Sequence, residues 1–233
     1  MKILLISGHG AGDSGAVATI DGKTYEEANL TVEVVDRLAP LLRKKGADVT
    51  VYDKTRDAFN DYKNGVLFLG KQDYLLEIHF NACVEDYKGD GKTTGTEIYY
   101  PSRGKESGAE NAILKHLAAI GFKNRGVKSG AFAVINRAAA LGMPANLLEV
   151  CFIDDADDVR LYNANKDKVA EASADGIAEA FKLTAPVPWY EKDGTWERGT
   201  KLGIVNGERP ESNVTRAEAN KMMLTVLDLA RGD

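Results

Sequence analysis

Lys2-Ile3-Leu4-Leu5-Ile6-Ser7-Gly8-His9-Gly10 is an aliphatic run that empties into a glycine-rich loop around a histidine. A short continuous apolar run cut off by glycine reads as a strand buried on both faces, the kind found in parallel sheets covered by helices. Tyr74-Leu75-Leu76-Glu77-Ile78-His79 repeats the arrangement. The chain holds three histidines, and two of them, His9 and His79, close such runs. Strand ends on one edge of a parallel sheet converge, and α/β proteins place their sites there. Two imidazoles and a carboxylate at such an edge would make an open, catalytic zinc site.

Outward from these two segments, strand and helix patterns alternate. Lys2–Ser7, Asp48–Tyr52, Tyr74–His79, Gly95–Tyr100, Ala131–Ile135 and Ala145–Cys151 read as strands. Glu26–Lys45, Asp57–Leu69, Lys105–Ile120, Ala156–Tyr162 and Asn165–Lys182 read as helices. In the first helix Leu30, Val34, Leu38, Leu41 and Leu42 recur at helical spacing, and Gly46 stops it. Strands separated by helices imply βαβ crossovers. The expected fold class is therefore α/β, with a mainly parallel twisted central sheet flanked by helices. Two prolines in Thr184-Ala185-Pro186-Val187-Pro188 form a natural hinge. This gives a main domain over residues 1–183, a linker over 184–188 and a small helical appendage over 189–233. The appendage holds both tryptophans, Trp189 and Trp196.

With 44% hydrophobic and 28% charged residues over 233 positions, the balance is that of an ordinary globular protein. A net charge of −5 and the lack of a basic run speak against nucleic acid as a partner. No apolar run reaches the roughly 20 residues of a membrane helix. Met1–Ile6 is too short for a signal peptide, so synthesis in the cytoplasm without an export address is expected. Cys83 and Cys151 do not make a disulfide framework. Each lies near a candidate site segment, where a pair or a third metal ligand is conceivable, but isolated cysteines are usually small buried hydrophobes.

Four segments carry chemistry. Ser7–Ala16 surrounds His9 with glycines, which allow tight turns and close approach. It lacks the spacing of a phosphate loop. Glu26 and Glu27 open the first helix, as dipole partners or as the carboxylate of the site. On the strand ending at His79, Glu77, His79 and Asn81 share one face. Glu149 sits inside Leu147-Leu148-Glu149-Val150-Cys151-Phe152, where an ionised carboxylate needs a partner. It is either half of a buried salt bridge, to Arg125 or Arg137, or a general base lifted toward neutrality by burial. His116 lies on a helix away from these segments and reads as structural or surface.

Gly8-His9-Gly10, Asp13-Ser14-Gly15-Ala16, Glu26-Glu27-Ala28-Asn29-Leu30, Glu77-Ile78-His79-Phe80-Asn81-Ala82 and Leu147-Leu148-Glu149-Val150-Cys151-Phe152-Ile153 stand in that order. The set resembles the zinc-dependent N-acetylmuramoyl-L-alanine amidases of bacterial cell-wall hydrolases and phage endolysins, the amidase type 3 family. Phe152 comes one position earlier than that family's spacing. The resemblance implies zinc held by His9, His79 and the helix-start glutamate. Spacing to Asn29-Leu30 favours Glu27, with Glu26 in reserve. It implies Glu149 as the catalytic carboxylate and peptidoglycan as substrate, cut between N-acetylmuramic acid and L-alanine. Asn81 would orient a ligand or the substrate, and the polar loop Val84–Thr94 either rims the cleft or is an inert surface loop. A zinc-dependent peptidase acting on cell-wall peptides is the second reading, against which H-x-x-E and H-E-x-x-H are absent. A non-catalytic wall-binding protein is the third.

The tail, with Trp196-Glu197-Arg198-Gly199, Gly203-Ile204-Val205-Asn206-Gly207, Pro210 and Val214-Thr215-Arg216-Ala217-Glu218, is similar to part of an S-layer-homology repeat, common at the ends of phage lysins. It would bind the wall, form a homo-oligomer, or dock on the main domain. Thr215 and Glu218 have the spacing of a capping box for a helix over Arg216–Leu229.

Overall fold

The computed structural model describes residues 1–10, 12–186, 195–205, 208 and 214–231. It divides into two compact units, Met1–Ala185 and Pro186–Asp233.

In the first unit the strands are β1 (Lys2–Ser7), β2 (Val17–Ile20), β3 (Lys23–Glu26), β4 (Asp48–Val51), β5 (Tyr74–Asn81), β6 (Thr96–Pro101), β7 (Asn124–Gly130) and β8 (Ala145–Phe152). The helices are α1 (Glu27–Lys44), α2 (Ala58–Lys63), α3 (Glu110–Ala119), α4 (Ala133–Ala140), α5 (Ala156–Ala164) and α6 (Lys166–Phe181). Six strands form one sheet in the order β4-β1-β5-β8-β6-β7, and all its pairs are parallel except β6 with β8. The mainly parallel α/β sheet expected from the alternating pattern is therefore present.

Alternation along the strands splits the core in two. Ile3, Leu5, Leu76, Ile78, Leu148 and Val150 pack with Leu30, Val34, Leu38, Ile113, Leu117 and Ile177 from α1, α3 and α6. Leu4, Ile6, Leu75 and Leu147 face the other way, onto Ala58 of α2 and Val134, Ile135 and Ala138 of α4. Each buried aliphatic side chain contributes about 1.5–3 kcal/mol, so both faces hold the sheet in register. Glu77, His79, Asn81 and Glu149 follow Leu75 and Leu147 on the α2/α4 side. The two covering helices there are only six and eight residues long.

Several expected elements differ. Ala131–Ile135 is not a strand: Val134, Ile135 and Ala138 form the buried face of α4. A short apolar run fits either period, and here the helical one wins. The strand in that region is β7, whose half-buried sequence Asn124–Gly130 shows little apolar alternation. The expected helix Asp57–Leu69 stops at Lys63, capped at its start by the Asp57 carboxylate, which accepts from Phe59 and Asn60 backbone N–H groups. A β2–β3 hairpin precedes α1, turning at Asp21 and Gly22, both at positive φ as a type I′ turn requires.

In the second unit α7 spans Thr195–Lys201 and α8 spans Arg216–Arg231. The capping box forms: Glu218 N–H donates to Thr215 Oγ1 (3.2 Å), and Thr215 N–H donates to Glu218 Oε2 (2.8 Å). Val187 and Pro188 of the expected linker, Trp189, Asn206, Gly207 and Pro210 lie outside the described residues. Among the described residues no helix is long and apolar enough to cross a membrane.

Candidate active site

β1 and β5 are parallel neighbours, and Gly8 N–H continues their ladder by donating to Ile78 O at 2.9 Å. His9 follows with φ 63, a left-handed backbone that turns its ring back toward His79. The two imidazoles meet edge to face with centroids 5.0 Å apart. Glu27, the first residue of α1, reaches between them. His9 Nε2 lies 3.1 Å from Glu27 Oε2, and His79 Nδ1 lies 3.0 Å from Glu27 Oε1. One donor atom from each of the three falls within 4.8 Å of the others. Glu26 instead ends β3, exposed, and accepts from the Asn29 amide. Glu27 is buried and also accepts N–H groups from Ala16 and Phe80.

Two glycines make this convergence sterically possible. A Cβ at Gly8 would stand 2.3 Å from the His79 ring. At Gly15, which has φ 64, it would stand 2.6 Å from His9 Cδ2 and 2.7 Å from Glu27 Oε2. The room left by the glycine-rich loop is thus filled by the converging side chains themselves.

Each imidazole is also held from behind. Asp13 Oδ2 lies 2.9 Å from His9 Nδ1, and Glu77 Oε1 lies 3.5 Å from His79 Nε2. Burial pushes both imidazoles toward neutrality, but the facing carboxylates outweigh it and raise their proton affinity, most for His79. Burial likewise pushes Glu27 up, and the two histidines overcome it, holding its carboxyl well below the usual range. The cluster is built around positive charge.

Glu149 pairs with His79 across the β5–β8 ladder and with Glu97 across β8–β6. Its Oε2 is buried without a hydrogen-bond partner. Burial first, then the charges of Glu27, Glu97 and Glu77, push its pKa up to about 7. Neither arginine considered for a salt bridge meets it. Arg125 and Lys128 both pair with Glu97, and Arg137 is an exposed residue of α4. Glu97 Oε1 also accepts from Asn81 Nδ2 at 3.0 Å, tying Asn81 in place.

His9, Asp13, Glu27, Glu77, His79 and Glu149 line a cleft of about 580 Å³, walled by Phe59, Phe132, Val134 and Leu147 and edged by Cys83. Loop Val84–Thr94 does not line it. The Asp154 carboxylate holds the N–H groups of Val84 and Glu85, and Asp155 and Asp157 hold Thr94 and Gly91. Both cysteines are free thiols, and Cys151 is buried in the core. His116 pairs with Glu179 at the surface. Glu97 carried no expectation, and its signal was a polar residue on a buried strand; Asp13 and Glu77 stood within the quoted motifs, Asp13 four residues after His9 and Glu77 on the His79 face, but without the supporting contacts the structure gives them.

A mainly parallel α/β sheet that gathers two imidazoles and a carboxylate beside a buried acid at its strand ends has the layout of a hydrolase, and the three side chains could hold a metal ion. Residues 3–179 match the family model described as N-acetylmuramoyl-L-alanine amidase, and the chain belongs to that family, amidase type 3. It is 32% identical over 184 residues to the N-acetylmuramoyl-L-alanine amidase LytC of Bacillus subtilis (strain 168), covering 77% of this chain and 35% of that protein. It is 31% identical over 193 residues to the amidase CwlM of Bacillus licheniformis, covering 79% and 70%. The chain thus spans about a third of the first relative's length. The catalytic domain of the amidase CwlV from Bacillus (Paenibacillus) polymyxa var. colistinus superposes with a TM-score of 0.60 at 27% identity, covering 79% of this chain and 100% of that one.

Proposed function

We propose that the chain is a zinc-dependent N-acetylmuramoyl-L-alanine amidase that cuts the bond between N-acetylmuramic acid and L-alanine in peptidoglycan. The observation that carries this reading is the convergence of His9, Glu27 and His79 within 4.8 Å, beside a buried acid with one unpartnered oxygen. The donor set fits zinc: two imidazoles and one carboxylate leave a coordination position open, as catalytic sites do. His9, Glu27 and His79 would hold the ion. When bound, zinc acidifies water and polarises the scissile carbonyl.

The chain's own groups do the rest. Asp13 and Glu77 fix which nitrogen of each imidazole faces the cluster. Glu149 accepts the proton of the attacking water and returns it to the amine of L-alanine as the amide C–N bond breaks, for which a pKa near neutrality suits it. Phe59, Phe132 and Val134 offer apolar wall to the substrate.

Incubation of the purified chain with peptidoglycan tests this. Stem peptides with a free L-alanine amine should appear, chelator should abolish their release, and zinc should restore it. L-alanine left on the sugar would favour the peptidase reading, and wall binding without hydrolysis the non-catalytic one. We further read the chain as a phage endolysin, with a sporulation or autolysis enzyme as the alternative, and residues 189–233 as an S-layer-homology-like segment for wall binding or assembly, a reading of that segment supported by the capped helix α8. Co-sedimentation with walls and the oligomeric state, each compared with and without residues 189–233, test that role.

A further inference from the structure

We propose that a basic groove next to the catalytic cleft binds the carboxylates of the stem peptide; this deepens, and rests on, the amidase reading. The groove, about 750 Å³, lies between α2, the loop after β6 and α4. Lys63, Arg103 and Arg137 line it together with Tyr62, Ser102 and Asn136, and among the described residues no Asp or Glu does. None of the three cations forms an ion pair among the described residues, whereas Arg37, Arg56, Arg125, Lys128, Arg160 and Lys166 all do. In a chain of net charge −5, three cations without an ion pair, of which Lys63 stacks over the Phe59 ring, form a local reversal of sign around one concavity.

The groove is framed before any ligand arrives. The Asn136 side chain accepts from Ser102 Oγ and Arg103 N–H, and donates to the carbonyls of Gly130 and Phe132. One side chain thereby ties the loop after β6, the end of β7 and the start of α4 together. Ala131 and Ala133 line both this groove and the catalytic cleft, so the two share a wall. A substrate with its scissile amide at Glu149 would reach the groove by crossing that wall. The catalytic cleft is lined by Asp13, Glu27, Glu77 and Glu149. Guanidinium groups one wall away would attract the carboxylates of the peptide with paired, charge-assisted hydrogen bonds.

The test uses the full chain and two soluble probes: the free peptide L-Ala-γ-D-Glu-L-Lys and the same peptide with its carboxylates amidated. Binding is measured by calorimetry, so turnover is not needed. The acidic peptide should bind roughly tenfold tighter, the scale of one charge-assisted contact. The preference should vanish in Arg103→Gln/Arg137→Gln and persist in Lys105→Gln, an exposed cation that does not line the groove. Equal affinity for both peptides, or a preference that survives the double variant, overturns the assignment, as does stronger competition from poly(glycerol phosphate) than from the peptide. A retained binding preference in a chain that cleaves no muramoyl peptide would sink the amidase reading and leave the groove standing. Cleavage indifferent to peptide charge would do the reverse.

Discussion

His79 and Glu149 stand opposite each other across the parallel ladder of β5 and β8, an imidazole of the three-residue cluster facing a buried acid. The pairing puts a candidate proton acceptor and a candidate metal ligand on one face of adjacent strands, whose backbones the ladder holds in register. It also assigns different work to the two glutamates. Glu27 is held ionised by two histidines, and Glu149 is held near neutrality by burial.

Glu149→Gln keeps the shape and removes the base. Hydrolysis should fall by about 100- to 10,000-fold, the range for a lost general base. Zinc content should be unchanged, because the variant leaves His9, Glu27 and His79 intact. Rate and metal stoichiometry measured on the same preparation check both halves.

The same variant should stabilise the metal-free protein at alkaline pH. The folded-state pKa of Glu149 is raised from 4.5 to about 7, so the contribution of this one group is fully present below 4.5 and is lost as pH rises through 7. Relief of that cost at pH 8 is on the order of 3 kcal/mol. Denaturant melts with chelator at pH 4 and pH 8 should show the gap between variant and wild type opening only at the higher pH.

Gly15→Ala and Gly12→Ala both force a residue with a side chain into positive φ, at 64° and 94°. That alone costs about 1 kcal/mol. Only at Gly15 does the new Cβ collide with His9 and Glu27; at Gly12 nothing lies within 4 Å. Both variants should fold, and zinc affinity should collapse in Gly15→Ala alone. Competition with a coloured chelator measures it.

Asp13→Asn and Glu77→Gln each leave the three-residue cluster in place and weaken the support behind one imidazole. Each should lower metal affinity by roughly 10- to 100-fold. Asp13→Asn should have the larger effect, since its contact is 2.9 Å against 3.5 Å.

The central strands were legible because β1, β5 and β8 carry short aliphatic runs and are largely buried on both faces. The edge was not. β7 has Val127 as its one aliphatic side chain and depends on pairing with β6. The β2–β3 hairpin announced itself only through Asp21-Gly22. That hairpin separates the two adjacent glutamates, since β3 runs through Glu26 and leaves Glu27 to turn inward. His9 and His79 could be placed at neighbouring strand ends from their sequence context. Their supports could not, because Asp13 depends on a loop path and Glu97 meets Asn81 across sixteen positions of chain.

Zinc-edge X-ray absorption on the whole 233-residue chain, with bound zinc counted per chain, probes the centre most directly. The expected result is one zinc per chain in a shell of nitrogen and oxygen that includes two imidazoles, with one imidazole lost in His79→Ala. A wild-type protein that hydrolyses peptidoglycan without bound metal, or whose zinc keeps both imidazoles in His79→Ala, would contradict it.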